Sequence, residues 1–266
     1  MKVKSIFLFF FLLSFAMPVY ADEATSRSAI LKSGKMPTRI HVDYTVTTGI
    51  GNGELSEIVD ISQEIDAHTF NISSNAQATG IFKVIKPGNI IRNSRGLITD
   101  KGLQPDYYSD QRANKEPSLA LFDWEKKILT LRHEGKETTE SLAADTLDRL
   151  SLSYHFIFMP LTEVKDKMQT GKLFKIHVTD GRSTQLMRFK ISNEKLDTPV
   201  GRLDTLVLTK LYDRDDSMRR KIWLAPDYHM IPVRIQSVEK DGLEVDKMIA
   251  GINLGYDKPG VACCRR

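Results

Sequence analysis

The chain has 266 residues and carries 38 basic and 34 acidic side chains, for a formal net charge of +4. Charges of both signs are interspersed without a long block of one sign, so the composition does not indicate nucleic acid as a partner. A chain of this length buries enough apolar surface to fold without disulfide bonds.

The N-terminal segment has the pattern of a secretory signal peptide. Lys2 and Lys4 form a positive start, residues 6–15 are almost entirely apolar, and Val19 and Ala21 are small residues at the positions that a signal peptidase reads. We predict cleavage after Ala21 and a periplasmic protein. The alternative is a membrane anchor, but the apolar run is shorter than the roughly 20 residues that span a bilayer. Since residues 1–21 hold two lysines and no acid, 36 basic and 34 acidic residues remain, a net charge of +2.

Beyond the signal peptide, we predict one folded domain between two flexible ends. Residues 22–37 form a polar leader, residues 38–256 a single β-rich domain, and residues 257–266 a flexible tail. The tail contains Cys263 and Cys264, and neighbouring cysteines cannot join distant segments. The domain is therefore expected to fold without disulfides.

The folded domain shows the alternation of β-strands. In residues 40–46 apolar and polar residues alternate strictly, which is the period of a half-buried strand. The glycine-rich residues 49–53 predict a hairpin turn and not a phosphate-binding loop, since a further strand follows where such a loop needs a helix. The other predicted strands are His68–Ser74, Asn89–Thr99, Ser118–Trp124, Lys127–His133, Leu173–Thr179, Gln185–Asn193, Leu203–Tyr212, Arg219–Leu224, Ile231–Val238 and Glu244–Leu254.

One stretch has a helical period instead. From Ala143 to Leu161 apolar residues recur every three or four positions, with Asp145 as a predicted cap and Pro160 as the end. A large twisted antiparallel sheet tends to curl, and its concave face must be covered by a helix or a ligand. We therefore predict a mostly β fold, a strongly curved antiparallel sheet (a partly open barrel) with one packed helix.

Residues 94–112 combine two glycines, a proline, two tyrosines and charges of both signs. Gly102 suits a tight turn because glycine adopts positive φ freely. Pro105 lacks an N–H group and therefore suits a sheet edge or a bulge. We interpret the stretch as a hairpin with an irregular second arm, in preference to an active-site loop.

The same hairpin supplies the candidate ligand-binding residues. Tyr107 and Tyr108 are expected on opposite faces of the second arm. Arg95 and Arg112 flank them, and in a curved sheet they would lie at the mouth of a cavity, where a guanidinium can pair with an anionic head group. We predict these four residues as the ligand-binding set.

The sequence contains no common catalytic or metal-binding pattern. Neither G-x-S-x-G nor H-E-x-x-H occurs, and the six histidines are scattered singly, whereas zinc needs three or four converging ligands. The acidic residues 213–216 lack the spacing of a calcium loop and are interpreted as a turn. Trp124 and Trp223 are interpreted as core residues. We predict no catalytic residue, no metal and no cofactor.

Eight short sequence segments, spread over most of the domain, form a pattern through their order and spacing. They are the opening strand with Tyr44, Ser94-Arg95-Gly96, Gly102-Leu103-Gln104-Pro105, Phe122-Asp123-Trp124, Asp148-Arg149-Leu150-Ser151, Thr198-Pro199-Val200-Gly201, Ile222-Trp223-Leu224 and Ile231-Pro232-Val233. In this order they resemble the DUF3108 family of uncharacterised exported proteins of Gram-negative bacteria. The resemblance implies a periplasmic-type protein with no assigned reaction. Its architecture is also similar to the lipoprotein-carrier and lipid-carrier folds of that compartment.

We therefore expect an exported periplasmic protein without catalytic activity that binds a lipid or a lipoprotein acyl chain in the cell envelope. The alternatives are a periplasmic hydrolase with a dispersed active site and an envelope factor that binds a protein partner. An outer-membrane barrel is disfavoured because a strand such as residues 218–224 carries Arg and Lys on both alternating sets. The sequence leaves the oligomeric state open.

Overall fold

A computed structural model describes residues 36–63, 68–80, 83, 88–159, 164, 169–212, 218–239 and 242–256. The predicted signal peptide, the leader up to residue 35, the acidic turn at residues 213–216 and the two cysteines of the tail lie outside the described residues.

The described residues form one sheet of 15 strands. The strands are β1 (Arg39–Thr48), β2 (Gly51–Gln63), β3 (His68–Ala78), β4 (Asn89–Thr99), β5 (Gly102–Arg112), β6 (Ser118–Asp123), β7 (Ile128–His133), β8 (Lys136–Ser141), β9 (Leu147–Asp148), β10 (Leu173–Thr179), β11 (Thr184–Thr198), β12 (Gly201–Leu211), β13 (Arg219–Ala225), β14 (Ile231–Val238) and β15 (Glu244–Gly255). One α-helix, α1 (Ser151–Phe158), and a 3-10 turn, Pro226–Tyr228, complete the described elements. The spatial order is β8-β7-β6-β5-β4-β3-β2-β1-β15-β14-β13-β12-β11-β10-β9, and only the short β9–β10 pair is parallel.

The sheet curls until strands from its two halves meet. Ser94 on β4 donates a hydrogen bond of 2.6 Å to the carboxylate of Asp148 on β9. In the turn between β10 and β11, Arg182 Nε lies 3.3 Å from the hydroxyl oxygen of Ser118, where β6 begins. All eight residues of α1 are buried inside the curve. The predicted mostly β fold, a strongly curved sheet around one packed helix, is confirmed.

The helix is shorter than the sequence pattern predicted. It begins at Ser151 and not near residue 143, because the carboxylate of Asp148 accepts the backbone N–H groups of Leu150 and Ser151 and so starts the helix there. The predicted cap, Asp145, instead contacts His177 Nδ1 at 2.6 Å. Met159 has extended backbone angles, as expected of a residue that precedes a proline.

Residues 94–112 form the β4–β5 hairpin. Arg95 pairs with Tyr107 while Gly96 pairs with Pro105, so Asp106 is the extra residue of a β-bulge. A Cβ atom on Gly96 would lie 2.2 Å from the carbonyl oxygen of Gln104, which explains why this position carries glycine. The irregular second arm is therefore a consequence of the bulge at the proline.

Candidate functional site

The register of β2 to β5 places two rows of side chains next to each other on the concave face, the face that surrounds α1. The first row is polar and consists of Glu57, Ser74, Arg92 and Asp110. The next row lies two residues nearer the strand ends and consists of Leu55, Ala76, Ile90 and Arg112. An apolar surface therefore borders directly on a buried, charged one.

Three residues of the second row, Ala76, Ile90 and Arg112, line a cavity of about 510 Å³ at the end of the sheet where the β1–β2 turn lies. Its apolar lining residues are Val46, Ile50, Ala76, Ala78, Ile90, Ala113 and Leu243. We call this cavity the apolar mouth. Small side chains on β2 and β3, among them Gly51, Gly53 and the two alanines, leave the space that larger residues would fill. Its volume lies within the range of about 300–1,000 Å³ that small-molecule pockets occupy.

Arg112 lies at the edge of the apolar mouth and is held by Asp110. Its Nη2 lies 3.2 Å from Asp110 Oδ2, and Arg92 Nε lies 3.3 Å from Asp110 Oδ1. Burial alone would raise the pKa of Asp110, but the two guanidinium groups lower it below its ordinary value. Asp110 is therefore ionised at neutral pH and shared by two cations.

A second buried carboxylate, Glu57, organises the centre of the concave face. It accepts hydrogen bonds from Ser74 at 3.0 Å and from the Tyr154 hydroxyl of α1 at 2.6 Å. Lys247 Nζ on β15 lies 3.8 Å from the same carboxylate. Burial lowers the pKa of Lys247 to about 8. The nearby arginines also lower this pKa, whereas Glu57 raises it. The helix is thus fixed to the sheet through a polar network.

Arg149 and Glu239 form the third charged contact of this face. Arg149 donates two parallel hydrogen bonds, of 2.7 and 3.1 Å, to the two carboxylate oxygens of Glu239. Burial raises the pKa of Glu239, but Arg149 outweighs it and the pKa falls to about 2. This pair joins the segment before α1 to the end of β14.

The four predicted ligand-binding residues divide between the two faces of the sheet. Tyr108 is fully buried on the concave face, and Arg112, 38% exposed, lines the apolar mouth. Arg95 and Tyr107 lie on the convex face, where the Arg95 guanidinium stacks 4.7 Å from the Tyr107 ring centroid and is 63% exposed. The structure therefore brings Tyr108 and Arg112 to the concavity and leaves the other pair outside it.

Sequence reasoning missed the cations that the concave face buries, namely Arg92, Arg149, Arg220 and Lys247. A signal for one of them exists in the alternation of β4, where Arg92 occupies the inward phase between Ile90 and Ser94. A cation on the buried phase of a strand needs a partner inside the fold, and this rule could have identified it.

The opposite end of the concavity holds a second cavity, of about 690 Å³. Its lining combines Trp124, Phe174 and Met159 with polar side chains. The ring of His155, which also lines it, accepts a hydrogen bond of 3.2 Å from the Leu103 N–H. Its walls are more polar than those of the apolar mouth.

Two contacts bear on the hydrolase alternative. His133 Nδ1 lies 2.9 Å from the Ser118 hydroxyl, and His177 Nδ1 lies 2.6 Å from Asp145. Ser118 is buried, however, and its oxygen is also the acceptor for Arg182 Nε. A substrate carbonyl could not reach this hydroxyl without displacing its neighbours, so the geometry does not favour a serine nucleophile here.

Two further features of the described residues bear on the site. Their His, Cys, Asp and Glu side chains form no group of three or more that could hold a metal ion. No helix in the described part of the chain has the length and apolar character that crossing a membrane requires.

The fold and the site together define a curved antiparallel-sheet protein with a ligand-sized cavity on its concave face. Residues 41–247 match the family described as "Protein of unknown function (DUF3108)". The chain belongs to this family, and the resemblance that the sequence segments indicated is confirmed. Comparison with curated proteins gave no match.

Three solved structures resemble the chain over most of its length. A beta-barrel-like protein of the DUF1849 domain from Brucella abortus is 9% identical, with 83% of this chain and 99% of that chain covered and a TM-score of 0.49. A DUF1329 family protein from Desulfovibrio piger is 10% identical, with 90% and 92% covered and a TM-score of 0.26. An outer membrane lipoprotein-sorting protein domain from Vibrio parahaemolyticus is 8% identical, with 88% and 91% covered and a TM-score of 0.20. All three TM-scores are below 0.5, so we draw no conclusion about function from these structures.

Proposed function

We propose that this DUF3108 protein is an exported, non-catalytic protein of the cell envelope that binds a lipid or a lipoprotein acyl chain in the apolar mouth. The proposal rests mainly on one observation. A cavity of about 510 Å³ with mostly apolar walls opens on the concave face, and the cavity lies between strand ends and not inside the packed core.

The lining of the apolar mouth suits a flexible hydrocarbon chain. Ala76 and Ala78 present methyl groups, and Val46 and Ile90 present branched apolar side chains from neighbouring strands. Removing apolar ligand surface from water contributes about 25 cal/mol per Å², so a chain of many methylene groups gains most from such walls. Ile50, 51% exposed at the rim, offers the apolar contact that an entering chain meets first.

A fluorescence titration tests the proposal. Parinaric acid, a fatty acid whose polyene chain fluoresces when it leaves water, is titrated into the full exported chain. We expect saturable binding by the wild-type protein. Ala76→Phe fills the mouth with an aromatic ring and should weaken binding at least about tenfold, the loss expected when roughly two methylene groups lose their contact.

The matched control is Ala250→Phe, which makes the same change at an exposed position of β15. It should bind the probe as the wild-type protein does. Absence of saturable uptake by the folded wild-type protein, or equal weakening by both substitutions, would contradict the proposal.

A further inference from the structure

One half-buried arginine of the concave face, Arg220, has no carboxylate partner among the residues that the structure describes. Arg92 and Arg112 share Asp110, Arg149 pairs with Glu239, and Lys247 faces Glu57. Arg220 differs from all of these. Among the described residues its Nη2 contacts only the carbonyl oxygen of Arg149, at 3.4 Å, and the hydroxyl of Ser153, at 3.3 Å. Both acceptors are neutral.

The described cations of this face outnumber the carboxylates that they contact. Arg92, Arg112, Arg149 and Lys247 contact three carboxylates, those of Asp110, Glu239 and Glu57, and Arg220 contacts none of these three. A cation without a carboxylate in contact is costly to bury, so an anion is a natural complement to Arg220.

Arg220 has charges of both signs nearby. Burial is the main cause that lowers its pKa to about 10; Arg149 and Arg92 lower it further, whereas Glu239 and Glu57 raise it. The guanidinium therefore stays protonated at neutral pH. A protonated guanidinium whose hydrogen-bond acceptors among the described residues are both neutral favours an incoming negative group.

Space for such a group adjoins Arg220. The side chain lines a small cavity of about 30 Å³, which has room for about two water molecules and whose walls also include Arg149, Asp180 and Glu239. It also lines a larger rim cavity of about 660 Å³. Thr48 lines both this rim cavity and the apolar mouth, so the spaces follow one another along the same end of the sheet.

We infer that Arg220 binds the anionic group of an amphiphilic ligand, a carboxylate or a phosphate, while the hydrocarbon chain of that ligand lies in the apolar mouth. The inference deepens the proposed function and rests on it for the position of the chain. The rim cavity, which Arg220 lines together with Lys210, gives the anion room beside the planar guanidinium. The ligand class is therefore an anionic lipid and not a neutral one.

A matched pair of probes tests the inference. Parinaric acid carries a carboxylate, and its methyl ester has the same chain without the charge. We expect the wild-type protein to bind the acid about 10- to 100-fold more tightly than the ester, the range that one charge-assisted hydrogen bond typically contributes. Arg220→Gln should abolish this preference, while Arg202→Gln, at an exposed arginine 70% accessible to solvent, should keep it.

A second measurement separates a lipid head group from a free anion. Thermal melts of the wild-type chain are recorded with inorganic phosphate and with chloride at equal ionic strength. A phosphate-specific rise in Tm that Arg220→Gln removes, with no binding of either probe, would support the anion site while the acyl-chain proposal fails.

Equal affinity of the wild-type protein for the acid and the ester would overturn the inference and leave the proposed function standing. Absence of both probe binding and phosphate stabilisation would overturn both. If Arg220→Gln does not fold, Arg220→Lys keeps the charge and loses the planar geometry, and the wild-type comparison of acid with ester needs no variant.

Discussion

The buried pair of Arg149 and Glu239 makes a sharp prediction about acid stability. Glu239 ordinarily titrates near 4.5, and in the fold its pKa is about 2 because Arg149 holds the ionised form. At about 1.4 kcal/mol for each pH unit between these values, ionised Glu239 contributes about 3 kcal/mol to the free energy of unfolding at neutral pH. The lowered pKa means that this stabilisation is complete above pH 4.5 and is lost as the pH falls toward 2.

The perturbation is Glu239→Gln, which keeps the shape and removes the charge. We expect the variant to unfold with about 3 kcal/mol less free energy than the wild-type protein at pH 7, and with a deficit of only about 1 kcal/mol near pH 2.5. Urea denaturation followed by tryptophan fluorescence at the two pH values measures both differences. Glu137→Gln is the control, because Glu137 pairs with Arg132 at the exposed surface and such pairs contribute little.

A loss of stability in Glu239→Gln that is equal at both pH values, or no larger than that of Glu137→Gln, would show that the ionised carboxylate does not stabilise the fold through Arg149. The first result would mean that the side chain stabilises the fold through its shape. The second would mean that the ion pair is open to water.

Three further predictions concern the fold and the export of the chain. Trp223 is buried on the convex face under Lys221 and Arg234, so Trp223→Ala should lower the free energy of unfolding by about 3–5 kcal/mol in a urea melt. Trp124 is only half-buried, so Trp124→Ala should lower it by clearly less. A larger loss for Trp124→Ala than for Trp223→Ala would contradict this prediction. Gly96→Ala should destabilise the β4–β5 hairpin by more than about 1 kcal/mol because the added methyl group meets backbone, and an unchanged Tm would show that the bulge relaxes. N-terminal sequencing of the exported protein should begin directly after Ala21, and a mature chain that keeps Lys2 and fractionates with membranes would contradict the signal peptide.

Most of the sheet could be predicted because half-buried strands alternate. In residues 40–46 the inward residues are apolar and the outward ones polar, and the structure has β1 at Arg39–Thr48. The strand β8, Lys136–Ser141, was missed because all six of its residues are exposed. Its sequence therefore lacks the alternation of apolar and polar residues that indicates a strand. The helix start was misplaced because the apolar spacing continues through residues 143–150, where Asp148 bonds to the backbone and ends the preceding strand.

The site was harder to predict from the sequence than the fold was. Predicting that Tyr107 and Tyr108 face opposite ways required only the period of a strand, but which of them faces inward depends on the register across the bulge at Asp106. The apolar mouth depends on which strand ends lie together after the sheet curls. Among the described residues, Arg220 donates hydrogen bonds to the neutral groups of Arg149 and Ser153, about 70 residues away in the chain. No local pattern in the sequence encodes such contacts.

Native mass spectrometry of the protein purified from its native cells is the decisive test of whether the concave face holds an acyl chain. The protein is isolated from its own cell envelope without detergent, and the bound mass is identified after solvent extraction. We expect a population heavier by the mass of an anionic lipid or an acylated peptide, absent from Ala76→Phe and present in Ala250→Phe. A wild-type protein that carries only its own mass, yields no lipid on extraction and takes up no parinaric acid afterwards would rule out an acyl-chain site on the concave face.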